Sequence, residues 1–199
     1  MGIYTLSFPP DERHDIPTIA VRLDDGRNRF FVAVEDGPPQ DEARVIAIAI
    51  IYRFNDDRLL LLDYLAVHGD FRGSGIGAAF LQQVMSALGL SPGGPVLLAE
   101  IEDPEMVPGD PDRARRLDFY RRLDFVTIDG VPYMLPPLAG GDPVPMVLAV
   151  HPAPRPGLLS RDRLARAIKE LYIEKYSRPE DDPFLDRILA SIPRRISYT

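Results

Sequence analysis

The sequence contains no cysteine. Disulfides, zinc–thiolate sites and a cysteine nucleophile are therefore excluded. Histidine is nearly as scarce: His14 and His151 sit in proline-flanked loops and build no metal constellation, and His68 reads as an exposed turn residue. No metal is expected. No apolar run approaches the roughly 18 residues of a membrane span, so no membrane partner is expected. The opening MGIYTLSFPPDER is too short and too polar for a secretory leader, which makes the cytoplasm the expected compartment. Positive charge is not in excess. The formal net charge of −7 argues against a nucleic-acid partner. There is no internal repeat, no Gly-Lys-Ser/Thr of a nucleotide P-loop, and no Ser-His-Asp arrangement to support a hydrolase.

What remains is a chain of 199 residues, 45% hydrophobic, which suits one domain with a real core. IYTLSF (3–8) reads as a first strand ended by Pro9-Pro10, and IPTIAVRL in the following polar stretch hints at a helix. RFFVAVED (29–36) reads as a strand closed by Gly37-Pro38-Pro39, and ARVIAIAIIYRF (43–54) as its antiparallel neighbour. Asn55-Asp56-Asp57 is a turn. RLLLLDYLAV (58–67) is a nearly continuous apolar strand, as expected when both faces are covered. Phe80, Leu81, Val84, Met85 and Leu88 then recur at helical spacing over 75–88. PVLLAEIE (95–102) is the next strand, parallel to 58–67 because a helix connects them. PDRARRLDFYRRLDF (111–125) reads as a helix, and VTIDGVPYML and PVPMVLAV as two closing strands. Residues 159–177 carry Leu164, Ile168, Leu171 and Tyr172 on one helical face, and Asp182-Pro183 opens a last short helix. The expectation is an α/β fold with a mixed central sheet of about six to seven strands flanked by helices. Its main domain spans 1–157, with a C-terminal helical appendage at 158–199 packed on it.

The stretch FRGSGIG (71–77) demands a reason, because three alternate glycines cost folding entropy. It lies between a strand and a helix. Successive backbone N–H groups at such a turn form a nest, and the helix N-terminus adds partial positive charge, so phosphate is the natural ligand. Gly73-Ser74-Gly75-Ile76-Gly77-Ala78 satisfies the Gly-x-Gly-x-x-Ala dinucleotide fingerprint. An NAD(P)-dependent oxidoreductase is thus one reading. A doubly wound sheet would need more parallel strand-helix-strand units than the single one present.

Arg72-Gly73-Ser74-Gly75-Ile76-Gly77 also reads as Arg-x-x-Gly-x-Gly. The passage LDYLAVHGDFRGSGIGAAFL resembles the acyl-coenzyme-A motif of the GNAT superfamily of N-acetyltransferases, and FYRRLDF (119–125) resembles that superfamily's aromatic-Tyr-x-x-Leu-Gly-Phe helix end. The element order over roughly 29–150 agrees. Two departures stand out. Asp124 replaces the glycine of Leu-Gly-Phe, and the segment after the first strand is shorter than the usual pair of helices that shapes the acceptor pocket.

The resemblance implies direct transfer of an acetyl group from acetyl-coenzyme A, as co-substrate, to a primary amine of a small molecule or peptide. It implies that the backbone of Leu65, Ala66 and Val67 pairs with the pantetheine arm. It implies that the pyrophosphate sits on Arg72, Gly73, Ser74, Gly75, Ile76 and Gly77. It makes Tyr120 the proton donor to the leaving sulfur. A noncatalytic acyl-coenzyme-A-binding or interaction module would keep the glycine turn without needing Tyr120. For the base, Asp63 and Glu100 are the candidates. Asp63 interrupts an apolar strand, where a lone carboxylate needs a role or a partner, and Glu100 lies near the end of the neighbouring strand. The arginines of 113–122 form either a solvated face or a contact for phosphate or an acidic acceptor. The acceptor is not named by the sequence, and a homodimer is the default assembly.

Overall fold

The computed structural model describes residues 2–8, 10, 13–35, 43–91, 93–106, 109–138, 142–154 and 158–199. Its elements run α1 (Gly2–Ser7), α2 (Ile16–Asp24), β1 (Asn28–Glu35), β2 (Arg44–Arg53), β3 (Leu59–Val67), α3 (Ile76–Ala87), β4 (Val96–Glu102), α4 (Pro111–Arg121), β5 (Val126–Thr127), β6 (Tyr133–Leu135), β7 (Val144–His151), α5 (Arg161–Glu170) and α6 (Pro183–Ser191). A short 3-10 turn at Gly69–Phe71 precedes α3, and a π-helical turn at Leu171–Lys175 extends α5. The seven strands form one mostly antiparallel sheet in the order β1-β2-β3-β4-β7-β5, with β6 also on β7. Only β3 and β4 pair parallel among the described residues. No helix among them is long and apolar enough to cross a membrane.

The expected mixed sheet and its helices are present. The expected first strand is not: residues 2–7 are helical. The alternating look of IYTLSF misleads because Ile3 and Tyr4 are adjacent, and both are buried against Ile48, Ile50, Tyr64 and Ala66. Phe8, four residues after Tyr4, packs beside it with ring centroids 5.7 Å apart. That spacing is a helical face, and tertiary packing overrides the local β propensity. Two helices, α1 and α2, thus precede β1: the segment after the expected strand holds only α2, and the expected strand is itself the other helix. The closing strand expected at 126–135 is split into β5 and β6, and both lie against β7. The turn expected at Gly37-Pro38-Pro39 lies outside the described residues, as does Pro9 of the earlier stop.

The sheet separates its helices by face. On one face α3 lays Phe80, Leu81, Val84 and Met85 on Ala47, Ala49 and Ile51 of β2 and on Leu60 and Leu62 of β3, with Leu117 of α4 alongside. On the other, Leu164, Ile168, Leu171 and Leu185 of the C-terminal helices cover Leu59, Leu61, Leu98 and Val150. Full burial of each such leucine or isoleucine contributes about 1.5–3 kcal/mol. The C-terminal helices are therefore part of the main core.

The end of α4 answers the question raised by Asp124. Its φ is +59°, the left-handed region that glycine favours. The Phe125 N–H donates to Tyr120 O at 3.2 Å and the Asp124 N–H to Arg121 O at 3.1 Å, a Schellman closure. The turn keeps a glycine-type conformation with aspartate in place.

Candidate active site

Parallel pairing of β3 and β4 stops at Leu62 with Ala99. Beyond it β3 follows β2 alone to Val67, and β4 follows β7 alone to Glu102. The two strands part, and a cleft of about 720 Å³ opens between them. A bulge accompanies the parting: Ile50 faces Tyr64 while Ile51 faces Leu62, leaving Asp63 as the extra residue. The bulge exchanges the faces of β3. Leu60 and Leu62 pack on the α3 side before it, and Leu65 and Val67 take that side after it. Tyr64 and Ala66 turn to the α1 side. A bulge that re-aims side chains beside an opened strand pair is a recurrent site-building device.

The glycine turn borders this cleft. Gly73 and Gly75 have φ of +79° and +86°, which a side chain would strain. Gly77 differs: its backbone is helical, and a Cβ there would lie 3.3 Å from Val67 Cγ2 and 3.7 Å from Phe119 Cε2. Close approach of α3 to β3 explains that glycine. Among the described residues, the backbone N–H groups of Gly73, Ser74, Gly75, Ile76 and Gly77 donate to no backbone carbonyl. The turn can therefore receive an anion at the start of the 12-residue α3. Arg72 stands beside it, with Nε donating to Val67 O at 3.2 Å and Nη2 to Ser7 Oγ at 3.3 Å. Ser74 Oγ donates to Phe71 O at 2.6 Å, so its hydroxyl braces the turn.

Tyr120 lines the cleft from α4. Its ring is wedged at 5.2 Å from both Phe119 and Phe125. Burial pushes its phenol up to about 12, against the pull of Arg116. Glu100 lines the cleft from β4 and accepts hydrogen bonds from Tyr133 Oη and, at 2.5 Å, from Tyr176 Oη. Burial raises its pKa, and the Lys175 charge and the two phenols oppose the rise. Such a carboxyl exchanges its proton nearer neutrality than an ordinary glutamate does. Asp63, with a side chain 5% exposed, holds Lys175 Nζ at 2.7 Å through Oδ1, while Oδ2 has no hydrogen-bond partner. Glu102, next on the face of Glu100, is bound by Arg113 at 3.1 Å and by Arg116. Those arginines are thus committed to a carboxylate of the chain.

The cleft lining brings together Asp63, Leu65, Ala66, Val67, Arg72, Gly77, Glu100 and Tyr120. Gly73, Ser74, Gly75 and Ile76 are not in that lining and form the turn at its rim. His68 caps the 3-10 turn, its ring in contact with Arg44, and is half-buried rather than exposed. The partner expected for Asp63 is Lys175, which sequence reasoning missed together with Tyr133, Tyr176 and His14. A signal existed for the lysine: Lys175 lies eleven residues after Leu164 and four after Leu171, on the apolar stripe of its own helix. Among the described residues no cluster of three or more metal-ligating side chains occurs.

A model of the family described as "Acetyltransferase (GNAT) domain" matches residues 26–127. Among solved structures the fold is similar to a putative acetyltransferase of the GNAT family from Bacteroides thetaiotaomicron, with TM-score 0.68, 23% identity, and 89% of this chain and 90% of that one covered. It is also similar to the ribosomal-protein-S18-alanine N-acetyltransferase from Escherichia coli, with TM-score 0.48, 21% identity, and coverage of 76% and 82%. A search of curated proteins finds no match.

Proposed function

Because the chain belongs to the GNAT family of acetyltransferases, we propose that it moves an acetyl group from acetyl-coenzyme A directly to a primary amine of a small molecule or peptide. The observation that carries this reading is the β3/β4 parting, which leaves a bulged strand edge ending at a glycine turn with unpaired N–H groups. In this reading the free edge at Leu65, Ala66 and Val67 receives the pantetheine arm, and Arg72 through Gly77 receive the pyrophosphate. Acetyl-coenzyme A supplies a thioester carbonyl, polarised by backbone N–H groups around Ala66 and Val67. Glu100 takes the proton of the attacking amine, as the carboxyl whose burial raises its pKa. The nitrogen–carbon bond forms, the carbon–sulfur bond breaks, and Tyr120 gives its proton to the leaving thiolate. Asp63 is the weaker candidate for base, because Lys175 already holds it.

Ligand choice and turnover test the proposal. Acetyl-coenzyme A should raise the melting temperature while NAD and NADP do not. At 100 times Kd the stabilisation is about 2.7 kcal/mol. Stabilisation by NAD alone would restore the oxidoreductase reading. Thiol release on an amine panel, in the cytoplasmic pH range, should identify an acceptor. Binding without release on any amine would assign a noncatalytic acyl-coenzyme-A-binding module.

A further inference from the structure

Lys175 lies outside the stretch matched by the family model, on the π turn after α5, and is only 1% exposed. A buried ammonium is expensive unless its protons are all spent. This one is surrounded. Nζ is 2.7 Å from Asp63 Oδ1 and 3.3 Å from His14 Nε2, and it lies 4.7, 5.8 and 6.0 Å from the ring centroids of Tyr176, Tyr64 and Tyr52. Burial, with the Lys175 and Arg22 charges adding to it, holds His14 down at about 2. The imidazole is therefore neutral, and since an ammonium can only donate, Nε2 accepts and the ring proton sits on Nδ1. Arg22 Nη2 fixes the lysine's own carbonyl at 2.6 Å. Three segments distant in sequence thus converge to hold one cation in the floor of the cleft.

We propose that Lys175 is a positioning residue for the transfer step, whose ammonium ties up Asp63 and balances the charge around Glu100, leaving Glu100 as the carboxyl that exchanges a proton with the acceptor. The inference rests on the reading of Glu100 as base. The groups facing Glu100 are Asp63 from β3, Tyr133 from β6, and Lys175, Tyr176 and Tyr172 from the extended α5. Glu102 on its own strand is neutralised by Arg113 and Arg116. Asp63 and Lys175 therefore act on Glu100 with opposite signs. A lysine whose charge did not reach Glu100 would leave that carboxyl's midpoint unmoved when removed, and one that served only to hold the helix would leave the acid limb of the rate unmoved.

The test reads Glu100 directly, without needing an acceptor. Protein labelled with 13C at the glutamate carboxyl is titrated by NMR, and the Glu100 resonance is identified by its loss in Glu100→Gln. Lys175→Met should move the Glu100 midpoint up, and Asp63→Asn should move it down, each by about one pH unit or more. Asp63→Asn/Lys175→Met should return it towards the unmutated value. Lys175→Met alone leaves a buried carboxylate unpaired and is the variant most exposed to unfolding. Should it unfold, the comparison is Asp63→Asn against the double variant, whose midpoint should lie higher. A Glu100 midpoint that ignores Lys175 in both backgrounds overturns the inference. With an acceptor in hand, the acid limb of kcat/KM for acetyl-coenzyme A and that amine should follow the NMR midpoints. Midpoints that move while the limb stays still would instead sink Glu100 as base.

Discussion

Replacing Tyr120 with phenylalanine separates chemistry from packing. No hydrogen bond to the Tyr120 hydroxyl occurs among the described residues, while the ring is held by Phe119 and Phe125. Removing the hydroxyl strands no buried partner and opens no cavity, so stability should change by no more than about 0.5 kcal/mol. Acetyl-coenzyme A should bind as before, because neither the glycine turn nor the β3 edge is touched. The cost falls on the transition state. A positioned acid is worth on the order of 10²–10⁴ in rate. A thiolate with a pKa of about 8.5 leaves well without help, so the lower end applies. A fall in kcat of roughly 10²-fold corresponds to about 2.7 kcal/mol of lost transition-state stabilisation. Because burial pushes this phenol up to about 12, Tyr120 keeps its proton throughout the neutral range, and the variant should show no change in the basic limb below roughly pH 10. The assay is thiol release under saturating acetyl-coenzyme A, with affinity measured separately by calorimetry. Unchanged kcat would reduce Tyr120 to a packing residue. A matching loss of affinity would mean that its hydroxyl holds the ground state, not the leaving group.

The glycines should respond to the same substitution for different reasons. Gly75→Ala places a side chain at φ of +86° in otherwise open space, costing about 1–2 kcal/mol of backbone strain and weakening acetyl-coenzyme A binding. Gly77→Ala is unstrained and gains up to about 1 kcal/mol of helix propensity, but presses on Val67 at 3.3 Å; its urea midpoint should barely move while the KM for acetyl-coenzyme A rises. Equal effects at both positions would refute the distinction. His14 makes the protein acid-sensitive. Its pKa is about 2 folded against 6.5 unfolded, so the unfolded state binds the extra proton. Its contribution is complete above 6.5 and is lost as pH falls, at about 1.4 kcal/mol per unit in the fully populated window. From pH 6 to pH 5 the unfolding free energy of the unmutated protein should fall by about 1.2 kcal/mol more than that of His14→Gln, measured in urea; equal slopes in the two would refute it.

Where order along the chain carries the information, the sequence alone sufficed. The apolar run at 59–67, the helical spacing of Phe80, Leu81, Val84 and Met85, and the run of glycines are local patterns set by pleat, helix period and steric room. They specify a strand, a turn that can hold an anion, and a helix, in that succession. The parallel pairing of β3 and β4 follows, because a helical crossover leaves the chain no other economical route. What depended on tertiary structure is where such patterns meet. IYTLSF became a helix because its buried partners lie on β2 and β3, more than 40 residues away, and no local propensity encodes that surface. Asp63 is visible as an interruption, but the bulge that makes it the extra residue exists only in its register against β2. Its neutralising partner stands more than 100 residues later. Electrostatic balance is a property of distances in space: a carboxylate, a lysine and a histidine from three segments become one cluster only when the sheet and the C-terminal helices close on each other and exclude the water that would otherwise screen them.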